Sequence, residues 1–154
     1  MFENNYSLEN AINSIKNSDI ISLQNNLSKG DFSINDENEF GETLLGVAIW
    51  LDKYEIVKYL CEQKNIDVNK KSSVKIDQNG TKLRVRPLEM IAFIKPFKDK
   101  TLDLKLSKRS KEIISLLMEK GAKIPVERYV NKKIFANRVK ELATLISELG
   151  ISQE

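Results

Sequence analysis

A turn-and-restart pattern, met three times, constrains this chain more than any other feature. Leu27–Asn35, Leu60–Asn69 and Leu117–Pro125 each close an amphipathic stretch with apolar residues. Each then places Gly or Asn where a helix end needs a left-handed residue, and returns to the core on Ile34, Val68 or Ile124. Upstream, Asp19-Ile20-Ile21, Glu55-Ile56-Val57 and Glu112-Ile113-Ile114 each open a helix with an acid at the positive end of its dipole. A shorter helix precedes each of these. Thr43 fits an N-cap for Leu44 to Leu51, and Pro87 fits the first turn of Leu88 to Ile94. The repeating unit is therefore helix, turn, helix and extended connection, at a spacing of roughly 33 to 50 residues. Neither helix can bury its apolar stripe alone, so the units must stack into one core.

The middle unit carries a specific resemblance. Gly41-Glu42-Thr43-Leu44-Leu45-Gly46-Val47-Ala48, followed by Glu55-Ile56-Val57-Lys58-Tyr59-Leu60 and Ile66-Asp67-Val68-Asn69, resembles an ankyrin repeat, whose pattern runs G-x-T-P-L-H-x-A, E-I-V-x-x-L-L, G-A-D-V-N. Arg86-Pro87-Leu88-Glu89-Met90-Ile91-Ala92 with Glu112–Leu117 and Lys120-Gly121-Ala122 matches in pieces, and Ser18–Ile21 with Lys29-Gly30 resembles a degenerate first repeat. The family's His is Gly46 in one unit and Glu89 in another, its Pro is Leu44, and Asp52 stands in place of the usual inter-helix Gly. The expected fold is all-α: an ankyrin-like helix-pair solenoid in a single domain, 1–154. Its units are about 5–36, 37–70 and 79–125, and a helical cap spans 126–150. In that core Leu45, Ala48, Ile56, Val57, Leu60, Leu88, Ile91, Ala92, Ile113, Leu116 and Leu117 are buried.

Two insertions interrupt the period. Residues 72–86 read as a protruding β-hairpin turning at Asn79-Gly80, which would set Ile76 opposite Leu83, Val74 opposite Val85, Asp77 opposite Lys82 and Lys75 opposite Arg84. Residues 95–106 read as an ordered loop, being too apolar for a linker at Phe97, Leu102, Leu104 and Leu106. Phe135, Val139, Leu142, Leu145, Ile146 and Leu149 then fall at helical spacing before Gly150. Lys132, Lys133, Arg138, Lys140, Glu141 and Glu148 form the opposite, polar face.

Chemistry is constrained mainly by what the 154 residues lack. There is no histidine, which removes Ser-His-Asp and Cys-His catalysis and imidazole metal sites. The six glycines form no phosphate-binding signature. The single cysteine, Cys61, excludes an internal disulfide framework, sits on the expected buried face of its helix and reads as a small hydrophobe. No apolar run is long enough to cross a bilayer, and Met1–Tyr6 has neither the basic start nor the apolar block of an export signal, so a cytoplasmic location is expected. No enzyme activity and no cofactor are expected.

The resemblance implies non-catalytic protein–protein binding through a groove of hairpin tips and inner helices. Matched position by position, that groove takes in Glu39, Phe40, Glu42, Trp50 and Leu51. Trp50 has an equal alternative, packing against Phe93 and Ile94. Small stand-alone members of the family in bacteria include toxin-neutralising (immunity-type) antidotes and delivered effectors, and the missing export signal favours the first, with a toxin as partner. Charge supplies the remaining candidates. Residues 1–69 carry 5 Lys/Arg against 12 Asp/Glu, and residues 70–111 carry 13 against 4, a net of −7 beside a net of +9. Lys75, Arg84 and Arg86 would steer an anionic partner, or be a solvated face that discourages edge aggregation. The alternative function is nucleic-acid binding through 70–111, disfavoured because no aromatic residue lies between Lys70 and Arg86 for a base to stack on.

Overall fold

The computed structural model describes residues 2–75, 77–95, 106–129 and 133–150. Helices dominate it, with one small two-stranded antiparallel sheet. Helices α1 (Phe2–Lys16) and α2 (Ile20–Ser28) form a first pair, and α3 (Leu44–Trp50) and α4 (Tyr54–Cys61) a second. Strands β1 (Ser72–Lys75) and β2 (Lys82–Val85) follow, then α5 (Pro87–Glu89), which runs on directly as a π-helical stretch, Met90–Ile94. Helix α6 (Lys108–Glu119) and α7 (Ala136–Leu149) complete the order. Helix α3 packs on both α1 and the π-helical stretch, and α4 packs on α6.

Side-chain chemistry sets the helix starts. Asp19 accepts the Ser22 N–H at 3.0 Å and Thr43 accepts the Gly46 N–H at 3.0 Å, each satisfying a donor that the first turn leaves unpaired. The third long helix begins a turn earlier than Glu112 suggested, because Ser107 caps it through the Ser110 N–H at 3.1 Å. Left-handed backbone between paired helices falls on Ser18 (φ 57°) and Asp52 (φ 57°) rather than on glycine. Each is met by a lysine further along the chain: Lys53 Nζ lies 2.6 Å from Ser18 Oγ, and Lys95 Nζ 2.5 Å from Asp52 Oδ2.

Two asparagines link successive connections in the same way. Asn35 donates to the Asn65 carbonyl at 2.7 Å and accepts the Asp67 N–H at 2.8 Å. Asn69 donates to the Gly121 carbonyl at 3.1 Å and accepts the Lys123 N–H at 2.7 Å. A carboxamide carries donor and acceptor side by side, so it clasps both faces of a peptide chain. The third connection has Pro125 at this place and makes no such clasp.

The loop at 38–42 and the hairpin tip share one design. Asn38 Oδ1 accepts from the N–H groups of Phe40 (3.0 Å) and Glu42 (2.9 Å), and Asp77 Oδ1 from those of Asn79 (3.0 Å) and Thr81 (2.9 Å). The Thr81 hydroxyl first, then the Thr81 and Asn79 N–H groups, hold the Asp77 carboxyl below its ordinary value. A left-handed glycine, Gly41 or Gly80, sits three residues on in each case. The hairpin is thus the same loop raised on a two-stranded stalk.

The stalk corrects the expected pairing. Ser72 faces Val85, Ser73 faces Arg84, Val74 faces Leu83 and Lys75 faces Lys82. The register is shifted by two residues because Asp77 closes the tip as a wider loop instead of pairing with Lys82. A shift of two preserves which face each side chain occupies. Ile76 lies outside the described residues.

The core follows expectation with one adjustment. Leu45, Ala48, Ile56, Val57, Leu60, Leu88, Ile91, Ala92, Ile113 and Leu117 are buried, whereas Leu116 is half-buried and Ile114 and Met118 take the interior positions beside it. One residue too many separates Leu88 from Ala92 compared with Leu45 from Ala48. The π-helical turn, with Lys95 N–H donating to the Met90 carbonyl, holds that extra residue and keeps both alanines fully buried. Phe93 then stacks on Tyr129 (centroids 4.1 Å, 9°) and meets Phe135 edge-on at 5.7 Å, fixing the chain that leads into α7. Helix α7 stops at Gly150 (φ 66°) as the spacing predicts, but Arg138 is buried beside Glu141 rather than solvated. Residues 96–105, which hold Phe97, Leu102 and Leu104, and residue Lys132 lie outside the described residues; Leu106 is buried.

The base of the stalk rests on α3 at Gly46. A Cβ there would come within 2.4 Å of Ser72 Cβ and 2.2 Å of its Oγ, and that hydroxyl accepts the Thr43 N–H at 3.0 Å. Gly46→Ala is expected to destabilise the fold by about 2 kcal/mol, overpacking outweighing the roughly 1 kcal/mol gain in helix propensity. Chemical denaturation checks this, and Ser72→Ala, which retains the clashing Cβ, should not rescue it. A neutral or stabilising Gly46→Ala would refute the close approach.

Candidate functional site

Docking the stalk on α3 opens a cleft between helix and hairpin. It has a volume of about 200 Å³ and is lined by Lys16, Glu42, Gly46, Val47, Trp50, Leu51, Ser73, Val74 and Lys75. Glu42, Trp50, Leu51 and Lys75, named from the sequence on separate grounds, meet here. Trp50 is half-buried, packs on the core and lines the cleft. Leu51 is 40% exposed beside it.

Phe40, on the loop at 38–42, and Arg84, on β2, sit next to the cleft. Phe40 is 51% exposed, with Lys82 Nζ 5.3 Å from its ring centroid. Arg84 is ion-paired with Glu37, and the Ser73 N–H donates to the Gly41 carbonyl at 2.8 Å, so the loop and stalk are joined by backbone and charge. Glu39 is exposed on that loop but does not line the cleft.

Arg86 lies apart. It borders a second hollow of about 520 Å³ with Lys123, Ile124, Pro125, Glu127, Ala143 and Ile146. Sequence spacing also missed Lys16, Gly46, Val47 and Val74 as cleft residues. Lys16 comes from α1, a whole unit earlier, and no local pattern could pair it with Lys75. Gly46 carried a signal in retrospect, a glycine inside a helix that otherwise reads Leu-Leu-x-Val-Ala-Ile.

The arrangement offers an apolar floor of Val47, Trp50, Leu51 and Val74 with charges of both signs at its mouth. A dry cavity of about 150 Å³ holds one benzene ring, so this cleft has room for a single large side chain rather than a cofactor. No group of three or more His, Cys, Asp or Glu could hold a metal among the described residues. Burial pushes the Cys61 thiol up to about 11, which keeps it protonated and unreactive near neutral pH. Among the described residues no helix is long and apolar enough to cross a membrane.

A buried carboxylate also escaped the sequence reading. Glu89, 1% exposed, accepts the Tyr129 hydroxyl at 2.7 Å, Arg128 Nη1 at 3.1 Å and the Arg86 N–H at 3.3 Å. Three donors satisfy it, as a buried charge requires. Comparison with protein-family models, curated proteins and solved structures finds no match in any of the three.

Burial first, then the Glu89 hydrogen bond and charge, push the Tyr129 hydroxyl well above the ordinary tyrosine value of 10.0. The unfolded chain releases this proton near that value and the folded chain keeps it. The contribution is therefore complete below about pH 10 and is lost as pH climbs above it. Denaturation between about pH 8 and about pH 11 should show the parent losing stability more steeply than Tyr129→Phe, which has no proton to release. Parallel curves would remove Tyr129 from the pH response.

Proposed function

We propose that the chain is a non-catalytic protein-binding module built as a divergent ankyrin-type array, and that the cleft between α3 and the hairpin is its binding site. The observation that carries the reading is the cleft itself. Trp50, Leu51, Glu42 and Lys75 line a space that fits one apolar anchor, and exposed Phe40 flanks it. Central aromatic and arginine contacts carry most of the binding energy at protein interfaces. The array reading draws support from the helix pairs, the two matching loops and the asparagine clasp made twice.

With the family resemblance, the best-supported role is an immunity-type binder that neutralises a toxic protein in the cytoplasm. Nucleic-acid binding through 70–111 is the weaker reading. Arg84 and Lys95, two cations of that region, are engaged by Glu37 and Asp52 from the acidic part of the chain, so less of the positive field is open to phosphates.

The test uses a partner recovered by cross-linking in the source cell and then purified. Trp50→Ala should speed its dissociation at least thirty-fold, equivalent to about 2 kcal/mol, with little change in association. Lys75→Glu should slow association at low salt, with the difference fading as salt screens it. Both variants are first shown to unfold like the parent. Normal release from Trp50→Ala would overturn the cleft as the binding site.

A further inference from the structure

Among the described residues the hairpin leaves one backbone edge open. Ser73 lies directly opposite Arg84, and the Ser73 N–H is directed outward to the Gly41 carbonyl. In an antiparallel ladder this makes Ser73/Arg84 a pair that does not exchange hydrogen bonds, and Val74/Leu83 one that does. By the same alternation Lys82 and Arg84 aim their N–H and C=O groups away from β1. Among the described residues nothing meets those groups, and Lys82, Leu83 and Arg84 are all exposed. The other flank of the sheet is already covered by the loop at 38–42.

Charge selects what can join this edge. Lys82 faces Lys75 across the ladder and shares its face with Arg84, while Leu83, 38% exposed, points to the opposite face. Like charges placed across a strand pair are unfavourable, and a second copy of β2 would add more of them. Basic residues on an open edge guard it against self-pairing. With Arg84 held by Glu37, Lys82 and the Lys75 opposite it favour a strand that brings carboxylates to this face with an apolar side chain between them.

We propose that β2 accepts an extended acidic segment of the protein partner as an added strand. Lys82 and Arg84 each donate one and accept one main-chain hydrogen bond, and carboxylates of the segment lie against Lys82 and Lys75, since the Arg84 guanidinium is already held by Glu37. This rests on the protein-binding reading above and specifies the partner's chemistry at the hairpin, apart from the cleft.

The experiment follows amide hydrogen exchange by NMR in the full chain. The probe is a synthetic eight-residue peptide alternating Glu and Val, added up to its solubility limit. The Lys82 and Arg84 amides should slow at least ten-fold, with Leu83 and Val85 unchanged because they already pair with β1. A twin peptide N-methylated at the amides facing β2 should give no slowing, and neither should one with Lys for Glu. No slowing with the Glu peptide overturns strand addition, as does equal slowing with either control. Slowing that rises with protein concentration alone means a second copy takes the edge, which also overturns it. Failure of the peptide while Trp50→Ala still releases the partner faster removes only the strand addition. Peptide binding with normal release from Trp50→Ala removes only the cleft.

Discussion

Everything at the cleft depends on one close approach, the seating of Ser72 against Gly46 at the start of α3. Without it the hairpin would keep its tie to the loop at 38–42 but lose its seat on α3, and Trp50 and Leu51 would border open solvent. The contact has two parts that reinforce each other. The missing side chain at Gly46 admits the Ser72 Cβ and Oγ, and the Ser72 hydroxyl then accepts the buried Thr43 N–H. Leaving that donor unpaired would cost about 1–3 kcal/mol, so the steric fit and the hydrogen bond select the same position. Exposed ion pairs such as Arg84–Glu37 are worth far less, and they orient the hairpin rather than hold it.

Local chemistry was the legible part of this sequence. Thr43 and Pro87 begin helices, and Gly150 ends one, because capping and backbone conformation are decided within a few residues. Failures came where a distant partner or an extra residue intervened. Alternation makes Asp77 a strand residue with a lysine partner, yet its carboxylate is better used by two backbone N–H groups at the tip. Arg138 belonged to the polar face by periodicity and is buried, since helical spacing reports a side chain's direction and not what covers it. The π-helical turn followed an apolar run that reads equally well as ordinary helix. At the site, the lining by Trp50, Leu51, Glu42 and Lys75 was accessible through position and charge. Lys16 and Val74 were not, because they reach the cleft only through packing between units.

The asparagine clasps give the connections a shared geometry that the helices alone do not. Each side chain bridges from one connection to the next and uses both ends of its carboxamide, so it resists sliding as well as separation. At Pro125 that vocabulary changes. The chain there is held instead by the Phe93, Tyr129 and Phe135 rings and by the Glu89 carboxylate, a cluster with no counterpart among the earlier described residues. The last described helix is therefore held by a different kind of chemistry from the one that links the earlier connections.

The stalk under the second loop acts as an adjustable pillar. Both loops are closed by the same internal hydrogen bonds, so the tip needs nothing from the strands except an attachment. The four residues of each strand, at about 3.3 Å apiece, raise it by roughly 13 Å. Adding or removing one residue from each strand would swap the two faces of the pillar at the tip, whereas changing each by two would alter only its height. Reach at this surface can thus vary in steps of roughly 7 Å while the chemistry it presents stays the same.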